Sequence, residues 1–242
     1  MITALLLAAG IGKRMGSNAG PKCLLSIGGK SLLRRTLESL RSVGVGEVAL
    51  VVGFRAEEVE REARAHLGKM RLTVLNNPQY REGAILSLWA ARESLGREVL
   101  VMDADVLCPP AIFERLLGSA HENCLLADGS AEETGEEQML FGREGRVLHI
   151  AKRAPQEIRQ EMTWYGESLG FLRLSSDGAA CLRELLEQKV QAGIVTIEHE
   201  QVYPDLFQRV FVGFERVDGL PWTEIDTPED LARAKTVVPA HG

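Results

Sequence analysis

The chain has 242 residues, 45% of them hydrophobic and 26% charged, with a net charge of −6. That length and composition suit one soluble α/β domain spanning residues 1–242, and the acidic balance argues against a nucleic-acid-binding surface while leaving room for a local basic site. Cysteines 23, 108, 124 and 181 form no C-x-x-C pair and the five histidines show no H-x-x-x-H spacing, so zinc and redox roles are disfavoured and Cys108, Cys124 and Cys181 read as small packing residues of a reducing compartment.

The chain opens on an apolar run, Ile2 to Leu7, that reads as a buried strand. Its charges follow the run instead of preceding it, so it does not resemble a leader. No segment approaches the ~20 apolar residues needed to span a bilayer, and a cytoplasmic location is expected. After Leu7 come Ala8, Ala9, Gly10 and Gly12, then Lys13, Arg14 and a Pro21-Lys22 pair. A strand running into a loop of small residues presents bare backbone N–H groups, and such a loop cradles phosphate. Arg14 and Lys22 would add charge-assisted contacts. Gly10, Gly12 and Gly16 could be misread as a dinucleotide fingerprint. That fingerprint needs an acidic residue ending the second strand, and here Val48–Val52 ends in Gly53-Phe54-Arg55.

Strand and helix patterns then alternate. Ser31 can cap a helix with Leu33, Leu37 and Leu40 on one face. Val48 to Val52 is an apolar strand, residues 55 to 67 a charged helix with Val59, Ala63 and Leu67 inward, and Leu72 to Leu75 a strand. Asn76-Asn77-Pro78 is a turn, Ala84 to Leu95 a helix, and Glu98 to Met102 a strand ending in Asp103-Ala104-Asp105. Pro109-Pro110 opens a short helix. The series implies a doubly wound, mostly parallel sheet with right-handed crossovers, whose ligands bind beyond the carboxyl ends of the strands.

The second half is less regular. Cys124 to Ala127 reads as a strand, 128 to 137 as an acidic loop, and Met139–Phe141 with Arg146–Ile150 as a hairpin. Residues 155 to 163 are polar and helix-compatible. Ser168 to Leu174 reads as a strand, Asp177 to Val190 and Glu198 to Gln208 as helices, and Val210 to Glu215 as a strand. Thr227-Pro228-Glu229-Asp230 combines a cap, a first-turn proline and an acid at the third position, so a helix starts at Pro228.

A carboxylate at a strand's end beside a phosphate loop is a natural magnesium ligand, so Asp103 and Asp105 form the second constellation. Asp226, just ahead of the capped helix, reads locally as a capping residue. No convincing nucleophilic triad is visible.

Leu-Ala-Ala-Gly-Ile-Gly-Lys-Arg-Met followed by Pro-Lys-Cys-Leu-Leu resembles the signature of the nucleoside-triphosphate transferases. These join a nucleotide to a phosphorylated sugar or alcohol and release pyrophosphate. Asn76-Asn77-Pro78 with Ser87-Leu88-Trp89-Ala90, Met102 to Asp105, and Trp164-Tyr165-Gly166-Glu167-Ser168-Leu169-Gly170 look more like the cytidylyltransferases that act on phosphocholine and related phospho-alcohols or phosphonates. The resemblance spans nearly the whole chain and is weakest over residues 128 to 166.

The resemblance implies a Rossmann-like nucleotidyltransferase fold with a small β-rich acceptor-binding insertion. It implies Mg²⁺ held by Asp105 and Asp226, with Asp103 supporting. The nucleotide would lie along Leu7, Ala8, Ala9, Gly10, Gly12, Lys13, Arg14, Lys22 and Asp103, with its base near Asn77, Gly83 and Ser87. Lys152 matches a lysine that meets the acceptor phosphate, so Arg14, Lys22 and Lys152 are the catalytic cations. Glu167 falls on the acceptor side. Trp164, Tyr165 and the acidic loop Glu132, Glu133, Glu136 and Glu137 suit a cationic head group. CTP is the expected nucleotide. A sugar-1-phosphate nucleotidyltransferase and a catalytically silent nucleotide sensor are the competing readings. The expected partners are small-molecule substrates, with neither nucleic acid nor membrane, and a homodimer stays open.

Overall fold

The structure, a computed structural model, describes residues 2–16, 20–131 and 135–237. Among these residues the central element is a nine-stranded sheet. The strands are β1 (Thr3–Leu7), β2 (Glu47–Val52), β3 (Arg71–Asn76), β4 (Val99–Asp103), β5 (Cys124–Asp128), β6 (Met139–Arg143), β7 (Arg146–Ala151), β8 (Thr163–Leu174) and β9 (Gly213–Arg216). The main path runs β7-β6-β8-β4-β1-β2-β3, with β5 joining β8 to β9.

The alternating first half forms the parallel part. β1 pairs with β2 and β4, and β2 with β3, all parallel. Side chains alternate across it. Leu5, Ala49 and Val51 face one core and Ala4, Leu6, Val48 and Leu50 the other. Helices α1 (Leu32–Ser42), α2 (Ala56–His66) and α4 (Pro110–Leu117) cover the second face through Leu33, Leu37, Val59, Ala63 and Phe113. The first face is covered by α3 (Ile85–Ala90), α6 (Ser176–Gln191) and α7 (Tyr203–Arg209) through Ile85, Leu88, Leu182 and Phe207. Both faces being covered explains why these strands are almost continuously apolar. Each fully buried leucine contributes about 2 kcal/mol. Ser31 caps α1, its side chain accepting from the Arg34 amide at 3.0 Å.

The second half adds antiparallel strands. β8 runs twelve residues, pairs antiparallel with β4, β5 and β6, and changes register twice. The expected strand at Ser168 therefore starts earlier, at Thr163. The expected helix over 155 to 163 is α5, Gln156–Glu161, and the last helix is α8, Pro228–Val237. The helix read over Ala84 to Leu95 is α3 followed by a 3-10 turn, Arg92–Ser94, and the one read over Glu198 to Gln208 opens as a 3-10 turn, His199–Val202, before α7. All four cysteines are free. Among the described residues, no helix is long and apolar enough to cross a membrane.

Gly83 holds one close approach in this frame. A Cβ there would lie 1.9 Å from the Val195 carbonyl oxygen, while the Ile85 amide donates to the Ile197 carbonyl at 3.1 Å. Neither backbone can retreat alone, so Gly83→Ala is expected to cost about 3 kcal/mol by overpacking. Denaturant unfolding would check it; a loss below ~0.5 kcal/mol would show that the two segments separate easily.

Candidate active site

The cleft lies beyond the carboxyl ends of β1 and β4. Parallel register places Leu7 beside both Val51 and Asp103. Backbone bonds pin the start of the loop: the Ala8 amide donates to Val51, Phe54 donates to Ala9, and Ala104 donates to Leu7. Beyond these anchors, among the described residues, the Gly10, Ile11 and Gly12 amides donate to no protein group. Gly12 has φ 67°, and a Cβ on it would lie 2.8 Å from Lys22 Cγ. Glycine is needed both for that turn and for the approach of Lys22. Leu7, Ala8, Ala9, Gly10, Gly12, Lys13, Arg14 and Lys22 line one continuous cleft of about 490 Å³ with Gly83, Ser87, Asp103, Asp105, Lys152, Glu167 and Asp226.

A short ladder brings the far end of the chain to β4. Val106–Leu107 pairs antiparallel with Thr223–Glu224, and the Ile225 amide donates to the Asp105 carbonyl at 3.0 Å. Asp226 then stands beside Asp105. The cap behind it is reciprocal, with Asp230 Oδ2 accepting from the Thr227 amide at 2.8 Å and the Asp230 amide donating to Thr227 Oγ1 at 3.2 Å.

Lys22 lies between these carboxylates. Its Nζ donates to Asp226 Oδ1 at 2.7 Å and pairs with Asp105. Arg14 Nη2 sits 2.6 Å from Asp226 Oδ2. Burial opposes the Lys22 charge, but Asp105 and Asp226 outweigh it and raise its pKa above the ordinary value. Cations and carboxylates read separately from the sequence therefore form one network.

Glu224 joins that network. Single carboxylate oxygens of Asp105, Glu224 and Asp226 lie within 4.8 Å of one another. Burial, Asp105 and Asp226 raise the Glu224 carboxyl above the usual carboxylate range. Asp105 Oδ1 is buried with no hydrogen-bond partner among the described residues. An all-oxygen donor set with an orphaned buried oxygen fits a hard divalent cation. Glu224 was missed in the sequence reading. Its signal was the period-two run Glu224-Ile225-Asp226, with Ile225 fully buried and the two acids turned the other way.

Asp103 faces a different group. Its carboxyl is held well above the usual carboxylate range by burial, Glu200 and Asp105. Neither His199 nor Glu200 carries a sequence motif, yet both line the cleft. The Glu167 carboxyl is pushed up to about 7 by burial, then Glu137 and Asp128. Lys152, just after β7, lines the same cleft.

Three expected contacts are corrected. Tyr165 is buried in the core, stacked on Phe214 at 4.2 Å between centroids, and its hydroxyl accepts from the Gly145 amide. Trp164 is 40% exposed and lies outside the cleft lining, with Nε1 3.5 Å from Met139 Sδ. The register shift in β8 between Trp164 and Gly166 separates both rings from the cleft that Glu167 lines. Asn77 is buried behind the wall, where its Nδ2 donates to Ser87 Oγ at 3.1 Å and its Oδ1 accepts from Gln79. It positions Ser87 and does not itself face the cleft. Of the acidic loop, Glu136 lines the cleft, whereas Glu132 and Glu133 lie outside the described residues.

The family model for the MobA-like NTP transferase domain matches residues 4–192. A bifunctional IPC transferase and DIPP synthase of Rubrobacter xylanophilus is 29% identical over 246 residues, covering 98% of this chain and 52% of that protein. A CMP-5'-(3-aminopropyl)phosphonate synthase of Streptomyces rubellomurinus is 36% identical over 129 residues, covering 52% of this chain and 20% of that one. The chain thus spans about half or less of the length of these relatives. Among solved structures, the CTP:phosphocholine cytidylyltransferase LicC of Streptococcus pneumoniae superposes with a TM-score of 0.75 at 19% identity, covering 98% of both chains.

Proposed function

The chain belongs to the family of MobA-like NTP transferase domains, and from that premise we propose that it transfers CMP from CTP to a small phosphorylated amino-alcohol or aminophosphonate, releasing pyrophosphate. One observation carries the reading: the Gly10–Gly12 amides, without a protein partner among the described residues, and the Asp105, Glu224 and Asp226 carboxylates open into one cleft, with Lys22 between them. The relatives named for CMP and CTP products or substrates support the choice of base.

An acceptor phosphate or phosphonate oxygen attacks the α-phosphorus. The new O–P bond forms as the bond to the β-phosphate oxygen breaks, and pyrophosphate leaves with that electron pair. The nucleophile is already ionised near pH 7, so no general base is required. Loop amides hold the triphosphate, and Lys22 and Arg14 exchange their carboxylate partners for phosphate oxygens. Lys152 meets the acceptor's phosphate. Asp105, Glu224 and Asp226 would hold Mg²⁺, which when bound neutralises charge developing on the phosphates. Ser87, set by Asn77, faces the base.

A pyrophosphate-release matrix tests the reading. Four NTPs are crossed with phosphocholine, phosphoethanolamine, 2-aminoethylphosphonate, polyol phosphates and hexose 1-phosphates. CTP with an amino acceptor is expected to give the highest kcat/KM. Turnover of UTP, GTP or dTTP with a hexose 1-phosphate, and none with the amino acceptors, would make the protein a sugar-nucleotide enzyme. Binding without any release would make it a sensor.

A further inference from the structure

We infer that Asn77, from behind the cleft wall, fixes the Ser87 hydroxyl as a hydrogen-bond donor toward the nucleobase. That polarity selects cytosine, whose N3 accepts, over uracil, whose N3 carries a proton. The inference rests on the transferase reading above and deepens it.

The strand order sets where the base lies. The phosphate loop leaves β1, which has β2 and β3 on one side and β4, β8, β6 and β7 on the other. Lys152, just after β7, and Glu167, in β8, belong to the second side. Gly83, Ala84 and Ser87 wall the cleft where the chain passes from β3 into α3, and α3 packs on β2. A nucleotide with its triphosphate on the loop and its α-phosphorus toward Lys152 therefore turns its base to the Ser87 wall.

Asn77 follows β3 directly. Its amide donates to the Val52 carbonyl at 2.8 Å, extending the pairing of β2 with β3 by one step, and the residue is 2% exposed. Its Oδ1 accepts from the Gln79 amide at 2.9 Å and its Nδ2 donates to Ser87 Oγ at 3.1 Å. A main-chain N–H only donates, so the atom facing Gln79 is the carbonyl oxygen and the amino group is turned to Ser87. Neither side chain titrates, so this polarity holds at any working pH.

With Nδ2 on one Oγ lone pair, the Ser87 proton cannot point at Asn77. Among the described residues that hydroxyl donates to no protein group. Ser87 is half-buried and lines the cleft, so its proton is left for the ligand. Cytosine N3 completes the bond. Uracil presents N3–H to the same atom. The hydroxyl could accept that proton on its remaining lone pair only by leaving its own proton unpaired once the base has displaced water. A wrong ligand that strands a polar group of the site is rejected more strongly than one that merely fits less well.

The test is titration calorimetry of the full chain with Mg²⁺ and no acceptor. The nucleotides are CTP, UTP and 3-deaza-CTP, in which a C–H replaces N3. The wild-type protein is expected to bind CTP about tenfold or more tighter than either of the others. Ser87→Ala removes the donor and should bring all three within about threefold. Asn77→Asp offers acceptors to both the Gln79 amide and the Ser87 hydroxyl. It turns that proton away from the cleft and should favour UTP over CTP. In the Ser87→Ala background Asn77→Asp should leave the CTP:UTP ratio unmoved, which separates an effect relayed through Ser87 from a general loosening of the wall. A thermal melt checks the fold of Asn77→Asp; if it unfolds, the wild-type and Ser87→Ala ratios decide alone. Equal binding of CTP and 3-deaza-CTP overturns the inference. So does a preference that survives Ser87→Ala, or a CTP:UTP ratio unmoved by folded Asn77→Asp. CTP held with this selectivity but releasing no pyrophosphate with any acceptor removes the transferase reading alone, and absence of CTP binding removes both.

Discussion

Asp105→Asn and Asp226→Asn should each slow nucleotidyl transfer by on the order of a hundredfold or more, about 3 kcal/mol of transition-state stabilisation. The substitution keeps the side chain's shape and removes its charge. Asp105 contributes the orphaned Oδ1, and Asp226 faces both Arg14 and Lys22. Stability should respond differently. Asp105 is one of the carboxylates that push Glu224 upward, so neutralising it relieves like-charge crowding while Lys22 keeps Asp226. Activity should collapse in Asp105→Asn with little change in Tm. Near-wild-type turnover by either variant at limiting Mg²⁺ would remove these carboxylates from the cation site.

Lys22→Met is expected to cost a further large factor, about 3 kcal/mol at the transition state, as for a lost charge-assisted donor. Here the fold should weaken as well. Lys22 is the cation between Asp105 and Asp226, and removing it leaves two partly buried carboxylates facing each other. The paired outcome is diagnostic: Lys22→Met lowers both kcat/KM and Tm, whereas Asp105→Asn lowers kcat/KM alone. Lys13→Ala should lose only a few fold, because Lys13 is exposed at the cleft's rim. Equal losses at Lys13 and Lys22 would mean that the loop's cations are assigned wrongly.

The parallel half of the sheet was legible because its signals are local. Apolar runs, caps and glycines each report on a few neighbouring residues, and Thr227 to Asp230 form the cap their spacing describes. The glycine loop was legible for the same reason. Asp105 and Asp226 could be linked only through a family resemblance, since the ladder joining them pairs Val106 with Glu224 across a long sequence separation. The aromatics failed on register. Period two cannot say which face of β8 looks at the cleft when the strand shifts register between Trp164 and Gly166 and again between Ser168 and Leu172. His199 and Glu200 were hidden because nothing local distinguishes a buried histidine in a turn. Their meaning comes from Asp103, which tertiary structure brings to within 3.8 Å of His199.

Direct transfer to the α-phosphorus is read out by ³¹P NMR of CTP and 2-aminoethylphosphonate incubated with the protein and Mg²⁺. A pair of coupled resonances, one phosphonate and one phosphate, from a new P–O–P linkage is expected to grow in step with equimolar pyrophosphate. Release of inorganic phosphate with CDP, or of pyrophosphate with free CMP and an unchanged phosphonate signal, would contradict it.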